Sequence, residues 1–271
     1  MTTANPSSRG GFAVVVVAAG SGTRLGQGMP KALVNVGGRS ILEHSLTGIA
    51  ASGVTRGNHG QPAPVVVTVP EDDTELTAVA QRHNAQVVTG GASRAASVRH
   101  ALQAVEQMYA ARPDALRGVL IHDAARCLTP VEVFHRVVAA VEAGHGAVVP
   151  VLPVVDTIRA VDQDGNSQGT VDRSHLRAIQ TPQGFDWDLL AEVNRAAGQA
   201  HDDRITDDAS LVEQFSDTPV HTVTGDEAAL KITRPMDLLL AQAILDSQAV
   251  PNAQATGESL QQTAPQDQEA L

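Results

Sequence analysis

Short runs of β-branched and small apolar residues, separated by stretches with helical spacing, constrain this chain more than any other feature. Phe12 to Ala18 is the first such run, as expected for a strand buried on both faces. Val65 to Val69, Gln86 to Val88, Gly118 to Ile121 and Ala147 to Val151 read as further strands. Between them, Ser40 to Ala51 reads as a helix, with Ser40 as N-cap and Ile41, Ser45 and Ile49 near one face. Asp72 to His83, Arg94 to Tyr109 and Pro130 to Glu142 read as helices too; in the second, Val98, Ala101, Leu102 and Val105 recur at helical spacing. Strands separated by helices of this length form βαβ units, and these assemble into an α/β fold with a mainly parallel, twisted sheet and helices on both faces. Such sheets receive ligands beyond the carboxyl ends of their strands. The loops at 19–31, 89–97 and 122–130 lie at such ends.

From Pro153 to Gly184 the rhythm breaks. Thr157 to Val161 reads as a strand, Asp162 to Asn166 as a turn centred on Asp164-Gly165, and a second extended run follows. The pattern predicts a β-arm over about 153–184 that projects from the sheet. An arm with no core of its own packs on something else, which suggests a homodimer. Helical spacing returns at Trp187 to Ala197 and again after Thr206, and His221 to Val223 reads as a strand. A last helix starts at Pro235, a favourable first helical residue, and runs through Leu238, Leu239, Ala243 and Ile244. Residues 247–271 are rich in Gln, Ala, Pro and Ser and are expected to be a disordered tail.

Charge and cysteine content remove several function classes. With 30 acidic and 19 basic residues the formal net charge is −11, which argues against a nucleic-acid or membrane-surface binder, since both need basic patches to meet phosphate. The longest apolar run, Phe12 to Ala19, is far shorter than the ~20 residues of a membrane helix. It could be misread as a signal-peptide core, but only Arg9 precedes it and it leads into a patterned glycine loop. The expected location is cytoplasmic. Cys127 is the single cysteine, so neither an internal disulfide nor a four-cysteine zinc site can form.

Of the 19 basic residues, all but Lys31 and Lys231 are arginine. Lysine presents a compact point charge that the planar fork of arginine does not reproduce, so these positions attract attention. Lys31 closes the loop Ala18-Ala19-Gly20-Ser21-Gly22-Thr23-Arg24-Leu25, which continues to Pro30. The loop fails the dinucleotide fingerprint, because Leu25 stands where a third glycine is required, and it lacks the Gly-Lys-Ser/Thr of ATPase phosphate loops. By its glycines alone it is as compatible with a structural turn as with a ligand site. Arg24 and Lys31 tip the balance, since two cations and backbone N–H groups on one loop suit a triphosphate.

The stretch Ala18 to Lys31 resembles the signature of nucleotidyltransferases that build activated alcohols and sugars from a nucleoside triphosphate. Further segments narrow the resemblance: Gly90-Gly91 with Arg94 and Ser97, His122-Asp123-Ala124-Ala125-Arg126, Asp156-Thr157, and Asp172-Arg173. Thr181-Pro182-Gln183-Gly184, Thr206-Asp207-Asp208-Ala209-Ser210 and Lys231-Ile232-Thr233 complete the series. Together, in this order, they are similar to the 2-C-methyl-D-erythritol 4-phosphate cytidylyltransferases of the non-mevalonate isoprenoid pathway. The resemblance implies a Rossmann-like nucleotidyltransferase fold, with residues 10–246 as one cytidylyltransferase domain. It implies a reaction in which CTP and the methylerythritol phosphate give a CDP-alcohol and pyrophosphate.

By the same resemblance, Arg24 and Lys31 contact the triphosphate and stabilise the pentavalent transition state, while Arg173 and Lys231 hold the methylerythritol phosphate. Ala18, Ala19, Gly20, Gly22, Gly91 and Ser97 fall at nucleotide-binding positions, and Ala92 departs from the acidic residue that some relatives carry. Asp123 matches the residue associated with Mg²⁺, an ion that typically takes few carboxylates besides water and substrate phosphate; the alternative is an aspartate that caps the helix after Pro130. Thr157 and Arg173 sit on the arm, which in the family crosses to complete a second subunit's pocket. Arg126 either binds substrate phosphate or braces Asp123. His122 and Cys127 read as packing residues, and the ten histidines show no convincing metal-ligand spacing. Asp207-Asp208 could be a metal pair, but reads better as a helix start. A ribitol 5-phosphate or other polyol phosphate cytidylyltransferase remains the nearest alternative, and a catalytically inactive nucleotide-binding regulator a more distant one.

Overall fold

In the computed structural model, which describes residues 11–20, 22, 25–26, 28–56, 62–111, 116–197 and 207–249, the first apolar run is a central strand. β1 (Phe12–Val17) buries every residue but the last. Its side chains alternate between two cores, as the period of a strand requires. A 3-10 turn at Lys31–Leu33 and the two-residue strands β2 (Asn35–Val36) and β3 (Arg39–Ser40) lead into α1 (Ile41–Ser52). There Ser40 is the N-cap and forms a reciprocal capping box with Glu43. β4 (Val65–Val69), α2 (Thr74–Arg82), β5 (Gln86–Thr89), α3 (Arg94–Tyr109), β6 (Gly118–Asp123), α4 (Val131–Glu142) and β7 (Ala147–Pro153) follow. The chain then forms β8 (Ile158–Val161), β9 (Ser167–Val171), β10 (Arg177–Ile179), β11 (Gln183–Asp186), α5 (Trp187–Ala197), α6 (Asp208–Phe215), β12 (Val220–Thr224) and α7 (Pro235–Ala249).

The main sheet runs β5-β4-β1-β6-β11-β7, with β10 and β12 also paired to β7. The β1–β4, β1–β6, β4–β5 and β7–β12 pairs are parallel, and only β10 and β11 run against their neighbours. One core packs Ala13 and Val15 of β1 against α3, α5 and α6. The other packs Phe12, Val14 and Val16 against α1, α2 and α4. Fully buried side chains such as Phe134, Phe185 and Leu120 each contribute about 1.5–3 kcal/mol through burial. The loops leaving β1 and β6 lead to α1 and α4 on one face of the sheet, whereas the loop leaving β5 leads to α3 on the other. A crevice opens at that switch point.

Two expectations change at the far end. β8 and β9 form a two-stranded sheet of their own with mostly exposed residues, joined through a turn in which the Asp162 carboxylate accepts from the N–H groups of Asp164 and Asn166. The segment expected to belong to the arm as far as Gly184 instead rejoins the main sheet: Arg177–Ile179 pairs with β7, and Gln183–Asp186 inserts between β6 and β7. An extended run carries no local mark of which sheet it joins. Likewise α7 reaches Ala249, past Ser247, because Leu238, Ala241 and Leu245 pack on Leu25, Val34, Ile41 and Ile232. The rest of the expected tail lies outside the described residues, as does Thr206. Among the described residues no helix is long and apolar enough to cross a membrane.

Candidate active site

The crevice at the ends of β1 and β6 holds a cavity of about 460 Å³. Ala18, Ala19 and Gly20 line it from the loop after β1, Gly91, Arg94 and Ser97 from the start of α3, and Asp123 from the last position of β6. Lys31 and Lys231 complete the wall. The structure therefore brings together most of the residues singled out in the sequence. Arg24 lies outside the described residues. Gly22 does not line the cavity but supports it: its φ is +64°, and a Cβ there would overlap the Lys31 Cβ. The Ala92 position also borders the cavity.

The loop before α3 is held by its own short side chains. Ser93 caps the helix by accepting from the Ala96 N–H. The Ser97 hydroxyl donates to the Ser93 carbonyl and accepts from the Gly91 N–H, both at 3.0 Å. Gly90 permits the close approach of this loop to β1, since a Cβ there would stand 2.5 Å from the Ala19 Cβ. Small residues thus line the cavity from both the loop after β1 and the loop before α3.

Across the cavity, opposite charges are tightly interleaved. Asp123 Oδ2 is 2.7 Å from Lys231 Nζ, and Oδ1 is 3.2 Å from Arg94 Nε. Burial would raise the Asp123 carboxyl, but Arg94 and then Lys231 outweigh it and hold it well below the usual carboxylate range. Asp123 is therefore ionised at neutral pH. Lys31 Nζ donates to the Ile232 carbonyl at 3.0 Å, while the Ile232 N–H donates to the Ala125 carbonyl at 2.9 Å. Both lysines are thereby tied to the segment before α7 and to the end of β6, although most of the chain separates them in sequence.

Several neighbours have structural duties. His122 is buried, and its Nδ1 lies 3.0 Å from Thr181 Oγ1, which also accepts from the Asp123 N–H at 3.0 Å. Burial, reinforced by Arg126, pushes the imidazole down to about 4, so it is neutral at pH 7. Burial pushes the Cys127 thiol up to about 12, which leaves it an inert packing group. Arg126 does not border the cavity. It donates to the carbonyls of Ala229 at 2.7 Å and Ile179 at 3.0 Å, joining β10 to the segment that carries Lys231. Those two bonds brace main chain but leave each terminal nitrogen a second N–H, and Nε is buried with no hydrogen-bond partner among the described residues, so the guanidinium keeps donors for a further acceptor.

Thr157 and Arg173 are exposed on the hairpin side and do not border this cavity; Arg173 donates to the Val155 carbonyl. Asp207 is the N-cap of α6, as a helix-start reading implies, but Asp208 is more than that. It is 1% exposed and pairs with Arg94 Nη2 at 2.7 Å. Sequence reasoning passed over this Arg94–Asp208 pair, whose members are far apart in the chain and carry no joint local signal.

Among the described residues no group of three or more His, Cys, Asp or Glu side chains could hold a metal by itself. The donor set does fit a hard divalent ion that takes one protein carboxylate and draws its remaining oxygens from water and a bound triphosphate, since Asp123 is ionised and borders the cavity.

Residues 12–247 match the family model for 2-C-methyl-D-erythritol 4-phosphate cytidylyltransferase. The chain belongs to that family. It is 50% identical over 231 residues to the 2-C-methyl-D-erythritol 4-phosphate cytidylyltransferase of Saccharopolyspora erythraea, covering 85% of this chain and 97% of the relative. The cytidylyltransferase of the same name from Nocardia farcinica is 45% identical over 242 residues, covering 89% and 96%. Among solved structures, the cytidylyltransferase of Thermus thermophilus aligns with a TM-score of 0.69 at 34% identity, covering 87% of this chain and 99% of that one. The matched residues include every strand of the main sheet, from β1 to β12.

Proposed function

We propose that the cavity at the ends of β1 and β6 is where this chain carries out its family's reaction, in which a cytidylyl group passes from CTP to 2-C-methyl-D-erythritol 4-phosphate and pyrophosphate leaves. The observation that carries this assignment is the placement of the two lysines: in a chain that otherwise uses arginine, both border the same cavity. The nucleophile is the substrate's own phosphate, whose second pKa of ~6 leaves it largely dianionic at neutral pH. No protein base is required. An oxygen of that phosphate bonds to the α-phosphorus of CTP as the bond to the β-phosphate oxygen breaks. The obstacle is the approach of one anion to another, and catalysis consists of neutralising charge and aligning the groups.

In this assignment Ala18, Ala19, Gly20, Gly91 and Ser97 receive the nucleotide, and cytosine is selected by hydrogen bonds to its polar edge. Arg24 and Lys31 face the triphosphate, and Lys231 faces the incoming phosphate. Asp123 holds Mg²⁺, which would supply a further positive charge to the triphosphate. Thr157 and Arg173 act in the cavity of a second subunit in a homodimer, a reading supported by an exposed hairpin that has no core of its own. The acidic balance of the chain agrees with small-molecule substrates and a cytoplasmic enzyme, not a nucleic-acid or membrane partner.

Pyrophosphate release from CTP and Mg²⁺, measured with 2-C-methyl-D-erythritol 4-phosphate and in parallel with ribitol 5-phosphate, tests the assignment. Release with the first substrate alone is expected. Release with ribitol 5-phosphate instead would move the enzyme to another pathway, and silence with both in a protein that binds CTP would leave a regulator without catalysis.

A further inference from the structure

The structure leaves one buried carboxylate beside the site without a function. Asp208 is the first residue of α6 and 1% exposed; among the described residues its Oδ1 has no hydrogen-bond partner, and it pairs with Arg94. Arg94 in turn opens α3, where the positive end of the helix dipole disfavours a cation. Two carboxylates hold it there in spite of that: Asp208 at Nη2 and Asp123 at Nε. Asp208 is itself fixed from behind. Gln183 on β11 donates to the Asp207 carboxylate at 2.7 Å and accepts from the Ala209 N–H at 3.2 Å, so it grips the first turn of α6 on either side of Asp208. A chain of contacts therefore runs from β11 through α6 and Arg94 to Asp123.

We infer that Asp208 is a positioning residue for the transfer reaction, one that keeps the Arg94 guanidinium paired when Asp123 turns from its protein cations to a metal–nucleotide. This rests on the assignment of Asp123 to the metal. In the described state Arg94 pairs with one oxygen of Asp123 and Lys231 with the other, so a divalent cation that takes either oxygen competes with a protein cation for it. Lys231 is substantially exposed and can swing into the cavity. Arg94 is not so free. Released from Asp123 with no other partner, it would be a charge withdrawn from water and unpaired. Asp208 removes that obstacle, because it already holds one end of the guanidinium and has an open acceptor at Oδ1 for the N–H that leaves Asp123.

The test is Asp208→Asn, which keeps the shape and removes the charge, so that Arg94 pairs with Asp123 alone and competes with the metal. Calorimetric titration of CTP into the protein, in Mg²⁺ and in EDTA, reads the step without turnover. We expect a Mg²⁺-dependent gain in affinity for the unsubstituted protein, its loss in Asp208→Asn, and equal affinity of the two in EDTA. In pyrophosphate release, half-saturation by Mg²⁺ should rise by about tenfold or more, within the range found for partners of metal ligands. A purely structural role would lower the melting temperature while leaving the Mg²⁺ dependence in place, and that result overturns the inference. Should Asp208→Asn fail to fold, Arg94→Lys reads the same point, since a single ammonium cannot span both carboxylates; an unaltered Mg²⁺ dependence there is equally fatal. If the unsubstituted protein releases no pyrophosphate and CTP binding ignores Mg²⁺, the assignment of the site has failed instead.

Discussion

Lys31 poses the question of whether a cation in the cavity binds the substrate or acts on the transition state. A group that only binds CTP changes KM when removed, whereas one that meets charge developing during transfer changes kcat. Lys31 already has a ground-state partner in the Ile232 carbonyl, and Gly22 packs against its Cβ, so its position does not depend on the nucleotide. Lys31→Ala should lower kcat on the order of 10²-fold, as loss of a preorganised charge-stabilising donor does, with KM for CTP moving far less. Steady-state kinetics at saturating methylerythritol phosphate give the split; equal losses in both constants identify a ground-state binder. Lys31→Arg should not restore the rate, because the planar fork cannot place one compact charge at the same point.

At the scale of elements, α7 decides where Lys231 stands. The Asp237 carboxylate in the first turn of α7 accepts from the Thr233 N–H at 2.7 Å, the Thr233 hydroxyl at 2.9 Å and the Arg234 N–H at 2.8 Å. Burial tends to raise this carboxyl, but the bonds from Thr233 and Arg234 prevail and hold it below the usual range. A depressed carboxylate stabilises the fold above its unfolded pKa and loses that contribution as pH falls. Asp237→Ala should therefore cost about 1–2 kcal/mol in urea denaturation at pH 7. The gap from the unsubstituted protein should start to narrow as pH falls below about 4 and close below the depressed folded pKa; a gap that persists at still lower pH would mean the loss is one of packing. Much at this scale was legible in the sequence. Ser40 as a cap, the helix from Arg94 to Tyr109 and the strand at Val65 to Val69 each have a local cause, in capping chemistry or periodicity. The destinations of Arg177–Ile179 and Gln183–Asp186 were not legible, since an extended run looks alike in an arm and in a sheet. Nor was the Arg94–Asp208 pair, because Asp208 beside the cap Asp207 reads as a second helix-start acid and nothing local reports its partner.

For the whole molecule the open point is whether one chain makes a complete site. Lys31, Lys231 and Asp123 border the cavity of a chain, whereas Arg173 and Thr157 belong with an exposed hairpin whose strands, among the described residues, pair with each other alone. A pair of strands with no third strand and no core is marginal in water, and Val155 and Val161 beside and within it are 79% and 62% exposed. Both facts favour a covering partner. If the hairpin serves the neighbouring cavity of a two-fold dimer, the two groups of residues can be complemented between chains. Lys31→Ala and Arg173→Ala homodimers should each be nearly inactive. In a hybrid of the two, one cavity has Lys31 from its own chain and Arg173 from the other, while the second cavity lacks both. Hybrids purified through two different tags should then recover about half the activity of the unsubstituted dimer, because symmetry provides two sites and one is whole. Were Arg173 to act within its own chain, every cavity in the hybrid would carry one defect, and the purified hybrid would be as inactive as its parents.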